Sequence, residues 1–417
     1  MKKRIILSLL LSSLIISCNQ TDSSNSNSNV QTKTYNIKVW AADNALNLTK
    51  KQLQRFKEQN SNYNINFNVE AVAESEAANN MTTDIAAGAD IFCFAQDQLS
   101  RLHIAGALSK INNQQKDTLT KENDNGSIEA ATINQELYAY PLTSDNGCFM
   151  YYDKRYINAT STNNITDLIR DCTKNKKLFS YQLCKDGGWY NPGFFFATGC
   201  ESIWHNDDKG KLTSYTDNYN SKNGLIAIKG MKELITSSVY NNASNVANAF
   251  GSNSAIVVSG AWDYQAAIKA IGEENLRVAE LPSFTVDGKS YHIGSFAGYK
   301  LVGIKPQNDS TKAAICSLVA AYLTNEECQL ERFNELSWGP SNLKAQENEK
   351  VKANPALSAL KAQNKYAKPQ GQYPETWWDL SAAIGNDVLK AGASASDDQL
   401  KIILNTYESG LNACKQK

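Results

Sequence analysis

Ala249-Phe250-Gly251-Ser252-Asn253-Ser254-Ala255-Ile256-Val257-Val258-Ser259-Gly260-Ala261-Trp262 is the stretch on which the fold turns. Residues 255–258 form a short apolar run rich in β-branched side chains. Gly251 and Asn253 bound it on one side and Ser259 and Gly260 on the other, which predicts an inner strand of a sheet covered on both faces. Trp262 then follows the strand's end across a glycine turn. In open α/β sheets ligands bind beyond the carboxyl ends of strands, so an aromatic delivered there is a candidate binding surface. Packing of Trp262 beneath a helix over residues 263–271 carries equal weight.

The same rhythm extends in both directions. Upstream, Tyr35, Ile37 and Val39 alternate with Asn36 and Lys38 and end at Trp40, a first strand. Thr49 reads as the cap of a helix carrying Leu53 and Phe56, and Tyr63, Ile65, Phe67 and Val69 alternate as a second strand. A helical pattern over 74–87 stops at Gly88, and 90–95 is a third, nearly continuous apolar strand. Such alternation predicts a doubly wound parallel sheet. After a polar stretch over 112–126, residues 137–141 make a strand closed by Pro141 and 147–152 begin another, with a crossover between them. A second lobe repeats the pattern, with helices near 167–174, from Phe194 and over 225–235, and strands at 178–183, 255–258 and 276–281. Residues 296–304 read as a return strand, and 311–336 as one long amphipathic helix broken by Gly339-Pro340. The tail is helical, with a proline-rich interruption at 369–374 just before Trp377-Trp378.

A chain of 417 residues is too long for one ordinary core. Lysine plus arginine and aspartate plus glutamate number 42 each, so no overall charge draws the chain to nucleic acid or an anionic surface. Lys2-Lys3-Arg4, the apolar run 5–16 and Ser17-Cys18 have the regions of an export signal, and the run is too short to span a membrane. Ile15-Ile16-Ser17-Cys18 resembles a bacterial lipobox, which implies a signal peptide over 1–17, acylated Cys18 as the mature first residue, and a flexible tether over 18–34. Eight further cysteines make disulfides possible in an exported chain. Cys316 and Cys328, placed on one helix roughly 18 Å apart by helical rise, do not pair. No Cys-x-x-Cys is present and His103, His205 and His292 are scattered, so neither a metal site nor a cofactor is expected.

Aspartates and aromatics gather after predicted strands: Asp43 after the first, Asp97 after the third, Asp145 after Pro141, Trp262 after the central one. Sugars offer hydroxyls to carboxylate acceptors and flat C–H faces to aromatic rings, so this set suits sugar recognition. Helix capping is the competing account of Asp97. Two of these acids would also serve a glycan hydrolase, for which sequence gives no spacing. Gly187-Gly188-Trp189-Tyr190 reads as a platform or a turn, and Trp377-Trp378 as platform or helix core.

Taken in order, Ile37-Lys38-Val39-Trp40 with Asp43, residues 90–97, Ala139-Tyr140-Pro141 followed by Tyr151-Tyr152-Asp153-Lys154, residues 249–262, Leu281-Pro282-Ser283-Phe284 and Thr376-Trp377-Trp378 resemble the extracellular solute-binding proteins of ABC sugar importers. The resemblance spans nearly the whole chain from Tyr35. It implies an α/β, two-lobed periplasmic-binding-protein-like fold, each lobe a doubly wound sheet, joined by hinge crossovers and followed by a helical C-terminal tail. Lobe I is expected from 35–142 plus 293–340, and lobe II from 143–292 plus 341–417. The resemblance further implies Asp43, Asp97 and Asp145 as hydroxyl acceptors, Phe94, Trp189, Trp262 and Trp377 as stacking platforms, and Tyr190 beside them. The implied protein is not an enzyme but a monomeric receptor, lipid-anchored through Cys18 to a membrane and facing the periplasm or cell exterior. It passes a small solute, a carbohydrate, to ABC permease subunits. Gln98 and Ser381 stand where maltose-binding members carry arginines, which puts maltodextrin in doubt, and other branches of the fold carry non-sugar solutes such as polyamines.

Overall fold

The structure is a computed structural model and describes residues 33–207 and 211–414. The export signal, Cys18 and most of the tether lie outside the described residues. Ten strands build two main sheets. They are β1 (Thr34–Ala41), β2 (Asn64–Ala71), β3 (Ile91–Ala95), β4 (Ala139–Thr143), β5 (Phe149–Asp153), β6 (Leu178–Ser180), β7 (Tyr240–Asn241), β8 (Ser254–Ser259), β9 (Leu276–Ala279) and β10 (Lys300–Ile304).

The first sheet runs β2-β1-β3-β10-β4 and the second β7-β6-β8-β5-β9. Each is mixed rather than wholly parallel. In the first, β1, β2 and β3 run parallel, while β10 returns antiparallel to both β3 and β4. In the second, β6, β7 and β8 are parallel, and β5 lies antiparallel to β8 and β9. The antiparallel strands are those adjoining the crossovers, where the chain enters a sheet from the other lobe instead of from a covering helix. Pro141 lies within β4 and does not close it. That strand borders the sheet, where a missing N–H breaks no ladder.

β8 is buried at every position, as its composition predicts. Ile256 and Val258 join a core with Phe179, Tyr181 and Phe194, and Val257 faces the opposite way into a cluster with Phe149, Tyr151 and Leu360. A separate core under the first sheet holds Ile37, Val39, Phe92, Leu102 and Leu301. The helices Glu375–Ala391 and Asp397–Cys414 complete the second lobe through Trp377, Ile384, Leu400 and Tyr407. Among the described residues no helix is long and apolar enough to cross a membrane.

Several local expectations are corrected. The helix Leu46–Gln59 starts before Thr49, which therefore does not cap it, and the helix expected over 74–87 is confined to Ala77–Thr83. The polar stretch is helical, with Asn112 and Asp124 capping Asn113–Glu122 and Asn125–Ala130. The long helix divides into Ser310–Leu323 and Glu326–Leu336, because Asn325 adopts extended backbone and accepts the Cys328 amide at 2.8 Å as a new N-cap. Cys93, Cys148, Cys172, Cys184, Cys200, Cys316 and Cys328 are thiols rather than disulfides. Burial in apolar surroundings raises the thiols of Cys93 and Cys148 to about 12, so they remain protonated.

Three chain crossings join the sheets, and the residues in and beside them are laced together. Ser144 donates its amide to the Gly339 carbonyl at 2.9 Å, Asn146 to Gly298 at 3.1 Å, and Gln370 to Ala297 at 2.9 Å. Asp145, buried within this seam, accepts the Gly339 amide at 2.7 Å. First-lobe packing runs on past residue 340, since Asn342 bridges to Asn123 and Gln346 donates to the Pro340 carbonyl at 3.0 Å. Asp145→Ala leaves the buried Gly339 amide without its acceptor, and a loss of about 1–3 kcal/mol in urea-unfolding stability is expected.

Candidate functional site

Between the two cores lies a cleft of about 640 Å³, within the range of about 300–1,000 Å³ typical of small-molecule sites. Both lobes contribute walls. Glu74, Asp97, Lys300 and Trp338 come from the first, and Trp189, Tyr190, Trp262 and Trp378 from the second.

Trp262 is placed by the turn after β8. The Tyr151 hydroxyl donates to the Gly260 carbonyl at 2.7 Å, and Ser259 Oγ donates to Asp263 Oδ2 at 2.6 Å, which pins the short 3-10 turn Ala261–Asp263. The indole folds back over Gly260, where an added Cβ would stand 2.1 Å from the ring, so only glycine permits the pose. Trp262 thus faces the cleft rather than lying under the following helix. Trp189 meets it edge to face at 6.2 Å and touches Tyr190 at 4.9 Å. The Trp189 Nε1–H donates to Gln370 Oε1 at 3.1 Å, tying the platform to the crossover seam. Gly188 packs against the Trp378 carbonyl, which a Cβ would approach to 2.0 Å, and this couples the Trp189 loop to the helix bearing Trp378.

On the facing wall, Lys300 is the charged residue in an otherwise buried strand, only 7% exposed. Its ammonium stands 4.0 Å from the Trp338 ring centre, 5.4 Å from that of Trp262 and 3.7 Å from Glu74 Oε1. Asp97 sits in a 3-10 turn after β3 and makes no side-chain cap, so capping does not account for it. Its Oδ1 is buried with no hydrogen-bond partner among the described residues. Burial lifts the carboxyl to about 7, against the downward pull of its own backbone amide and of Arg101, and Glu375 adds to the rise. The outer rim is bridged: Arg101 pairs with Glu375 at 2.9 Å, Gln372 accepts the Ser100 amide at 3.0 Å, and Asn206 donates to Ser100 Oγ at 3.1 Å.

The cleft therefore gathers Asp97, Trp189, Tyr190 and Trp262 of the expected set, and leaves out four. Phe94 is fully buried beside Phe92 in the first core, so it offers no face to a solute. Asp145 is held in the crossover seam by Gly339. Asp43 is exposed on a 3-10 turn whose next residue, Asn44, takes the place on the wall. Trp377 is fully buried, donating to the Tyr407 hydroxyl at 3.0 Å, and its neighbour Trp378 lines the cleft because a helix turns about 100° per residue. Gln98 and Ser381, at the positions of the missing arginines, serve the framework. Gln98 accepts the Ala78 amide and donates to the Ser75 carbonyl, and Ser381 donates to the Gly188 carbonyl. Glu74, Lys300 and Trp338 were missed, and of the pair Trp377-Trp378, read as platform or helix core, the expected site took the wrong member. A lone lysine inside 296–304 and a tryptophan at the Gly339-Pro340 break were the available signals.

The family described as bacterial extracellular solute-binding protein matches residues 51–359. Among curated proteins none matches the chain. Similar solved structures include one determined with acarbose, at 24% identity and TM-score 0.79, covering 91% of this chain and 99% of that one. The maltodextrin binding protein MalE1 from L. casei BL23, without ligand, has 20% identity and TM-score 0.75, covering 92% and 100%. The maltose/maltodextrin-binding domain MalE from Bdellovibrio bacteriovorus, bound to maltotriose, has 18% identity and TM-score 0.73, covering 90% and 100%. At these identities the likeness establishes the fold.

Asp97 binds its proton in the folded chain between about pH 4 and about pH 7, where the unfolded chain has lost it, so its contribution to stability falls as pH rises through that window. Asp97→Asn is accordingly expected to raise the melting temperature of the solute-free protein at about pH 8 and to leave it unchanged near about pH 4. Trp377→Ala is expected to cost about 3–5 kcal/mol of stability by opening a core cavity, and Trp378→Ala much less, as denaturant titrations of the pair will show.

Proposed function

This chain belongs to the bacterial extracellular solute-binding proteins, and from that premise we propose that it is the capture subunit of an ABC importer for a carbohydrate. A mono- or oligosaccharide lies in the interlobe cleft, the hinge shuts over it, and the closed form is presented to permease subunits in the membrane. The carrying observation is that aromatic faces and the Asp97 carboxyl, from two separately cored lobes, line one cleft. Trp262 and Trp189 supply the stacking surface for sugar C–H faces, and Asp97 accepts a hydroxyl. The lobes divide near residues 143–148 and 293–299, and a third crossing follows residue 340. The neighbours reported with acarbose and maltotriose support a saccharide as solute.

Closure selects among existing states: the solute shifts the balance toward the closed form by the difference in its affinity for the two. Anchorage by acylated Cys18 places the receptor at a membrane surface, with the tether giving it reach. The function is capture without turnover.

A thermal-shift screen over mono- and oligosaccharides, polyamines and amino acids, followed by solution scattering, tests the reading. A saccharide is expected to raise the melting temperature and compact the protein. Stabilisation by polyamines or amino acids alone, or product release from an oligosaccharide on long incubation, would contradict it. Trp262→Ala is expected to weaken saccharide binding by about 1–3 kcal/mol in calorimetry through lost stacking area.

A further inference from the structure

The cleft carries more negative charge than a neutral sugar offsets. Glu74, Glu76, Asp97, Asp186, Glu375 and Asp379 line it, and among the described residues Lys300 is the only cationic side chain that does. Arg101, behind the wall, occupies Glu375, and Lys300 faces Glu74. Glu76 on one lobe and Asp186 and Asp379 on the other have no ion pair among the described residues, and Asp97, which burial holds protonated up to about pH 7 in the solute-free cleft, adds its charge when a cation enters. Closing the lobes brings these like charges toward one another while expelling water, an unfavourable change unless a positive charge enters between them.

Two independent observations point to what enters. Asp97 Oδ1 is shielded from water with its hydrogen-bonding capacity unused, an arrangement that awaits a donor from the solute. The aromatic faces also suit a cation, since the ammonium of Lys300 already rests 4.0 Å over Trp338, and Trp189, Trp262 and Trp378 present further rings to the same space. Among the described residues no three His, Cys, Asp or Glu side chains converge as a metal site would require, so the charge to be met is spread along the cleft.

We infer that the solute is a sugar carrying a protonated amine. The inference rests on the carbohydrate reading above and narrows it. The amine sits against Asp97, donating to the empty oxygen, and the pyranose face stacks on the tryptophans.

Calorimetry with matched sets of sugars tests it, each set holding the ring and linkage constant and placing an amine, an acetamide or a hydroxyl at the second carbon, with spermidine alongside. The amine form is expected to bind about tenfold or more tightly than its partners, with an advantage that shrinks in high salt. Asp97→Asn is expected to abolish most of that advantage while the hydroxyl form still binds. If the hydroxyl or acetamide form binds as tightly as the amine, or if Asp97→Asn leaves the preference intact, the inference falls and carbohydrate capture stands. Should spermidine bind while no sugar of any set does, or should no probe bind, both fall.

Discussion

The two lobes depend on a seam only a few residues wide. Its centre is the buried carboxylate of Asp145 held by the Gly339 amide, flanked by the Ser144–Gly339, Asn146–Gly298 and Gln370–Ala297 backbone bonds. The Asn146–Gly298 bond joins the first crossing to the second, the Ser144–Gly339 bond joins the first to the segment leading into the third, and the Gln370–Ala297 bond ties the second to the C-terminal part of the chain. Burial raises the pKa of the Asp145 carboxyl, and Lys300 and the Gly339 amide oppose that rise. The crossings are thereby fixed relative to one another while each sheet keeps its own core. A hinge needs that combination, with a few positions able to absorb rotation and two bodies that do not deform.

The seam also positions the chemistry. Gln370 bonds to Ala297 through its backbone and receives the Trp189 indole N–H and the Asn146 amide on its side-chain oxygen. One residue therefore reads the arrangement of the crossings and supports an aromatic platform. Lys300 does the corresponding work on the other wall, lying on β10 directly after a crossing and packed between Trp338, Trp262 and Glu74.

How much of this was legible depends on what each signal measures. The apolar run of β8 and the alternation in β1 and β2 report burial, which local periodicity encodes, and all three strands stand where it puts them. Strand direction is not encoded locally, so a parallel sheet was expected where β5 and β10 run against their neighbours. Register at single-residue resolution was the other limit. Phe94 and Trp377 each fall one or two residues from a cleft residue, and a strand's alternation or a helix's turn sends them into a core. Asp97 and Trp262 were found because each lies in a turn beyond a strand end, where position follows from topology. Asp145 looked the same in sequence, but the turn it occupies belongs to the seam. Its partner Gly339 lies 194 residues away, beyond the reach of any pattern.

The close packing of Gly188 on the Trp378 carbonyl has a consequence for the order of events. It binds the Trp189 loop and the Trp378 helix into one piece, to which the Trp262 turn also belongs through the Trp189 contact. Three of the cleft's four lining tryptophans thus travel with one lobe, while Asp97, Glu74 and Lys300 travel with the other. When the lobes stand apart, the shelf of three tryptophans, which carries Asp186 and Asp379 as well, is separated from the wall that holds Lys300, Glu74, Asp97 and Trp338. A solute resting on that shelf would meet Lys300, Asp97 and Trp338 only on shutting, so its two sides would be matched in succession rather than together.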